Sequence, residues 1–140
     1  MGTKKRRCAA LAVAALTSFA AHFALAETAA DQQKRFEAEA RAAGSAFSGF
    51  SVQRGETLFK ATHGAEWSCA SCHTANPLSV GKHAKTAKPI APLAPAANPE
   101  RFTDRGAVDK WFRRNCNDVL GRACTAQEKG DVLEYLMSLK

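Results

Sequence analysis

The chain has 140 residues, 46% of them hydrophobic, with 20 Lys+Arg against 13 Asp+Glu and a formal net charge of +7. That length holds one domain around one core. The basic balance is weak evidence for nucleic-acid binding, because Lys4, Lys5, Arg6 and Arg7 carry four of the positive charges.

Residues 1–26 read as an address. The four basic residues form an n-region, Ala9 to Ala24 is an apolar run, and Ala24-Leu25-Ala26 is a small-x-small cleavage site. The run is too short and alanine-rich for a membrane span. A periplasmic, exported chain of 114 residues is expected, not embedded in the membrane, with 16 Lys+Arg against 13 Asp+Glu, or +3. Cys8 falls in the signal, which leaves Cys69, Cys72, Cys116 and Cys124 for an oxidising compartment, where free thiols tend to pair.

Glu27 to Ala43 is rich in Ala, Glu, Gln and Arg, with Phe36 its one large apolar residue. It reads as a helical extension over residues 27–46, laid on the surface of a domain spanning 47–140. Gly44 to Gly49 breaks it. Ser51 caps a second helix running to about Thr62, on which Gly55 and Phe59 share a face that invites close approach of another helix. His63 at its end reads as a solvated or dipole-satisfying histidine.

Trp67-Ser68-Cys69-Ala70-Ser71-Cys72-His73-Thr74 carries the chemistry. Cys-x-x-Cys followed directly by His is a c-type haem attachment signature. Two thiols one helical turn apart each form a thioether to one haem vinyl group, and the next side chain then lies beneath the ring. Cys69 and Cys72 are the anchors, and His73 is the proximal iron ligand. A zinc knuckle needs two further ligands with their own spacing. A thioredoxin-like dithiol needs a preceding strand in an α/β pattern, and no such strand is evident. Two haem propionates would bring the exported chain close to neutral.

All five prolines fall between Pro77 and Pro99, which excludes a regular helix and predicts an extended wrapper on the haem edge, with Ile90 and Leu93 facing it. From Trp67 to Pro99 there is no acidic residue, while Lys82, Lys85 and Lys88 are present. Both a solvated basic loop and a docking rim for an acidic redox partner fit this pattern.

Thr103 or Asp104 caps a further helix with Val108, Trp111, Phe112 and Asn115 at i, i+3, i+4 and i+7. Asn115 lies about 20° from Val108, on the apolar face, and Asn117 about 180° away, towards solvent. A buried amide needs a partner, and iron is one candidate. Cys116 and Cys124 cannot pair across a continuous helix, since eight steps make about 12 Å against a limit near 7 Å. Asp118 and Gly121 suit a turn between them. Thr125 with Glu128 forms a capping box for the last helix, whose stripe is Val132, Leu133, Leu136 and Leu139. Met137, the one methionine outside the signal, reads as packing. The sixth iron position is therefore left to His83, His63, Asn115, water or nothing, with spacing and face leaning to Asn115.

At these residues the sequence resembles the SHP (sphaeroides haem protein)-type cytochromes c. The likeness runs through Gly49-Phe50-Ser51 to Phe59, the haem motif, Gly81-Lys82-His83 into Pro89–Pro95, Asn98 to Asp104, and Trp111-Phe112-Arg113-Arg114-Asn115-Cys116 with Cys124-Thr125. It covers most of residues 47–139, and Arg-Asn-Cys-x7-Cys is its most specific part. The resemblance implies an all-α, class I cytochrome c-like fold around one covalent haem c, here with an extra N-terminal helix. It implies His73 and Asn115 as axial ligands of the oxidised iron, and a Cys116–Cys124 disulfide. A related cytochrome type has histidine where this chain has Asn115.

The resemblance further implies release of the asparagine on reduction, binding of diatomic ligands such as O2 and NO, and electrons from a dihaem cytochrome c or a membrane cytochrome b. The function expected is a periplasmic, monomeric electron carrier that opens a ligand site when reduced. The alternative is a small haem oxidoreductase acting on O2, NO or peroxide, which needs a distal acid–base group; His63, His83, Arg113 and Arg114 are the candidates. A gas sensor would need an output module for which 114 residues leave no room.

Overall fold

The computed structural model describes residues 27–44, 47–64 and 66–140, and the export signal lies outside them. Among these residues are five helices and one small hairpin: α1 (Ala29–Ala43), α2 (Val52–Lys60), α3 (Cys69–His73), β1 (Gly81–Lys82), β2 (Pro89–Ile90), α4 (Arg105–Leu120) and α5 (Ala126–Ser138). Each helix begins at a residue whose side chain accepts a backbone N–H: Thr28, Ser51, Ser68, Asp104 and Thr125. Thr28, Ser68 and Thr125 close full capping boxes, which satisfy two orphan donors apiece.

The centre of the fold is the crossing of α2 and α5. A Cβ on Gly55 would run into the Asp131 backbone and meet Tyr135 Cβ at 3.0 Å, so only glycine lets the two backbones touch here. Phe59, one turn on, is fully buried beside Val132, Tyr135 and Leu136. A buried carboxylate locks the crossing. Asp131 accepts from Ser51 N (2.8 Å), from Arg54 Nε (2.7 Å) and Nη2 (2.9 Å), and from Gln127 Nε2 (3.0 Å). Its desolvation is thereby compensated by charge-assisted hydrogen bonds.

The N-terminal helix is more than a cover. Phe36 is fully buried in a second cluster with Val108 and Leu133, edge-on to Phe112 with ring centroids 5.5 Å apart. One such aromatic contributes about 1.5–3 kcal/mol through burial alone. α1 therefore shares the core of the chain, although it carries only one large apolar side chain. Met137 packs against this same cluster.

The α4 face differs from the expected one at Trp111, which is 48% exposed with Lys110 Nζ 5.3 Å and Arg114 Cζ 5.5 Å from its ring centroid. On a helical wheel Trp111 and Phe112 flank Val108 on opposite sides, at about −60° and +40°. The core lies on the Phe112 side, so the tryptophan falls on the rim. The helix also runs through Asp118 to Leu120 and turns only at Gly121, whose φ of 67° is left-handed. Asn117 is exposed.

A covalent haem site on a one-turn helix

The haem motif folds as α3, a single turn started by Ser68 and Ser71 bonding reciprocally. Thr74 ends it with φ 64°, and its hydroxyl bridges to Asn76. The two thiols stand one turn apart, and neither is in a disulfide.

Gly81 is packed so closely on α3 that a Cβ there would collide with the Cys72 carbonyl. This contact seats the hairpin on the haem motif: β1 and β2 are antiparallel with Gly81 opposite Ile90, and Ala84 N–H donates to Cys72 Sγ at 3.4 Å. Leu93 packs against the Phe59 cluster together with Cys69, Ala70 and Phe102. Ile90 is half-buried. The extended wrapper thus does lie against the motif, with a two-residue ladder inside it.

Electrostatics suit the iron-ligand chemistry. Burial, aided by the charge of Arg101, pushes His73 down to about 4, so the imidazole is neutral and able to donate to a metal at physiological pH. Burial pushes the Cys69 thiol up to about 11, so it stays protonated. The His73 ring sits 6.5 Å from the Phe59 ring, which ties the motif to the α2–α5 crossing. Two adjacent free thiols, a neutral imidazole and a wall of Leu58, Phe59, Leu93 and Phe102 fit a covalently bound haem. Among the described residues no group of three or more His, Cys, Asp or Glu side chains gathers as a zinc site requires.

The remaining candidates fall as follows. Asn115 is half-buried on α4, directly before the buried Cys116. Among the described residues its amide makes no hydrogen bond. Cys116 and Cys124 have Cα atoms 5.5 Å apart with their sulfurs at bonding distance, the Gly121 turn having folded the chain back. His63 is exposed and donates from Nε2 to the Leu58 carbonyl (2.9 Å) at the end of α2. His83 is exposed, and its Nδ1 accepts from the Lys85 and Thr86 amides, each at 3.3 Å. Arg113 and Arg114 are exposed. Two surface cavities of about 380 and 400 Å³ are lined in part by these residues, the first by Phe112, Arg113 and Cys124, the second by Pro95, Arg101 and Met137.

Sequence reasoning missed two residues that brace the fold, one at the α2–α5 crossing and one on the wrapper. Asp131 stands in an apolar stripe, which was a signal that it had a buried partner. Arg101 hydrogen-bonds carbonyls of the wrapper, and nothing in its local sequence indicates that.

Comparison with known proteins agrees with the fold and with a covalent haem. The family model described as a domain of unknown function, DUF1924, matches residues 45–136. Cytochrome c'' of Methylophilus methylotrophus is 49% identical over 80 residues, covering 57% of this chain and 56% of that protein. The cytochrome c-type protein SHP of Cereibacter sphaeroides is 47% identical over 89 residues, covering 61% and 68%. The match therefore spans little more than half the length of the first of these relatives.

Among solved structures, oxidised SHP, described as an oxygen-binding cytochrome c, superposes with a TM-score of 0.70 at 41% identity, covering 79% of this chain and 96% of that one. Oxidised cytochrome c'' from M. methylotrophus superposes equally, at 0.70 and 38% identity over 80% and 94%. Fold and site together define a class I-like cytochrome c with one covalent haem c. Within that class the chain belongs to the DUF1924 family, as an SHP-type cytochrome.

Proposed function

We propose that this cytochrome is a periplasmic electron carrier whose reduced form opens an axial position to a diatomic ligand such as O2 or NO. The observation that carries the reading is the place of Asn115, half-buried on α4 and directly before a cysteine pair at disulfide distance. When bound, haem supplies one-electron redox chemistry and a coordination position for a small ligand. Cys69 and Cys72 would hold the group covalently, and His73 would offer the iron a neutral imidazole. The Asn115 amide oxygen is a hard donor, suited to ferric iron better than ferrous, so this side chain would hold the oxidised iron weakly and the reduced iron more weakly still. A Cys116–Cys124 disulfide would hold the end of α4 so that Asn115 returns to the same place. The description of SHP as oxygen-binding, and of cytochrome c'' as showing haem-ligand detachment, supports this reading.

The exposed lysines 82, 85 and 88, on a hairpin bonded to Cys72, favour electron exchange with an acidic partner, such as a dihaem cytochrome c or a membrane cytochrome b. No helix among the described residues is long and apolar enough to cross a membrane.

Optical and EPR spectra of the haem-loaded protein provide the test. Reduced wild type should be five-coordinate, high-spin and open to CO. Asn115→Ala should change the oxidised spectrum and keep ferrous CO binding, while His83→Ala and Met137→Leu leave both spectra unaltered. A low-spin ferrous protein that excludes CO sinks the ligand-opening half. An oxidised spectrum altered by His83→Ala and not by Asn115→Ala sinks the ligand assignment.

A further inference from the structure

The wrapper has to be held on the haem motif, and its prolines have no N–H with which to do it. A relay of hydrogen bonds does so instead. The Pro77 carbonyl, four residues after His73, accepts from the Leu93 and Ala94 amides at 3.0 and 3.1 Å. Directly upstream, the Ala91 and Pro92 carbonyls both accept from one guanidinium: Arg101 Nη2 to Ala91 O at 2.7 Å, and Nε to Pro92 O at 2.9 Å. The Arg101 amide donates to the Asn98 carbonyl at 3.0 Å, and Asn98 Nδ2 reaches Pro92 O at 3.4 Å. Arg101 therefore closes the loop on itself. Phe102, its neighbour, packs in the cluster that contains Phe59 and Cys69.

The same guanidinium is half-buried, and no carboxylate among the described residues offsets its charge. Geometry sets that charge beside the haem motif, since Leu93 and Phe102, at the two ends of the clamp, pack in the same cluster as Cys69. One-electron reduction adds a negative charge to the centre that His73 serves. A fixed positive charge close by stabilises the reduced state over the oxidised one, and more strongly in a partly buried setting than in water.

We propose that Arg101 is a positioning residue for the redox centre: its fork fastens the Ala91–Pro92 segment over the haem-bearing helix, and its positive charge favours the reduced protein. The proposal rests on the chain being a haem redox protein, and not on Asn115 leaving the iron.

Two variants separate the roles. Arg101→Gln removes the charge, whereas Arg101→Lys keeps a charge but cannot fork to two carbonyls. With haem-loaded protein, Arg101→Gln should lower the equilibrium constant for reduction by about three- to tenfold, tenfold being about 59 mV for one electron. Arg101→Lys should stay within about twofold of wild type. Hydrogen exchange at the Leu93 and Ala94 amides should quicken by about tenfold or more in both variants.

Wild-type potentials in both variants would overturn the charge role, as would an equal drop in both. Unchanged exchange at Leu93 and Ala94 would overturn the clamp. If Arg101→Gln fails to load haem, Arg101→Lys still decides: wild-type exchange rules out the clamp, and a large fall in potential rules out the charge. A ferrous protein that excludes CO counts against the ligand-opening reading and leaves these measurements intact.

Discussion

Four cysteines in the described chain fall into two pairs with opposite fates, and separation explains the difference. Cys69 and Cys72 share one helical turn and remain free thiols, which suits them to a bifunctional group between them. Cys116 and Cys124 are eight residues apart and meet only because Gly121 reverses the chain. One mass-spectrometric experiment tests both pairs. The purified, denatured, unreduced wild type should carry one haem mass and show no alkylatable thiol. The Cys69→Ala, Cys72→Ala double variant should lose covalent haem and keep Cys116 and Cys124 protected. Two alkylated thiols in the unreduced wild type would remove the disulfide, which closes a loop of about nine residues and contributes roughly 2–3 kcal/mol on the chain-entropy account.

Between elements, contact is decided by what is missing as much as by what is present. Gly55 brings α2 against α5, and Gly130 leaves room for the Phe50 ring, whose atoms fill the space a Cβ would take. Asp131 then clips the start of α2 to α5 through Arg54 and the Ser51 amide. Because Phe59 projects from this crossing towards His73, a shift of α2 is passed directly to the haem motif. Gly55→Ala should therefore destabilise the holoprotein by about 1–3 kcal/mol or more, since backbone and not a flexible side chain stands in the way. A denaturant midpoint is the measurement, with Gly44→Ala as control, a position where no atom lies within 4 Å of an added Cβ. Equal midpoints for both variants would show that the crossing relaxes without cost.

Over the whole molecule, charge is distributed unevenly. The acid-free stretch between Trp67 and Pro99 presents exposed Lys82, Lys85 and Lys88 on the hairpin bonded to Cys72. Elsewhere, several cations are paired: Arg35 with Glu39 and Asp109, Arg54 with Asp131, Lys60 with Glu56, and Arg122 with Glu128. An electron partner of opposite sign would be steered to the hairpin. Second-order rate constants for electron exchange with an acidic redox protein should fall by about tenfold or more from low to physiological salt. The triple Lys82→Gln, Lys85→Gln, Lys88→Gln variant should flatten that dependence. A wild-type salt slope in this variant would place docking on another face.

What could be read from the residues alone was local in origin. The haem motif depends on three side chains within five residues, and the helix caps on pairs three apart. The density of prolines excludes a helix wherever it occurs. That Asn115 is turned partly inward while Asn117 is exposed followed from helical angle, because α4 is regular around them. The rest depended on segments far apart in the chain. Phe36 looked like a lone apolar residue on a polar helix until Val108 and Leu133 closed over it. Trp111 was on the right helix, but which flank of the stripe meets the core is settled by the neighbouring elements and not by periodicity. Asp131 with Arg54, 77 residues apart, and Arg101 with the Ala91–Pro92 carbonyls are hydrogen bonds whose donors and acceptors become neighbours only after the helices have packed. Local spacing can specify a covalent attachment point, but the charge and the clamps around it arise from tertiary contacts.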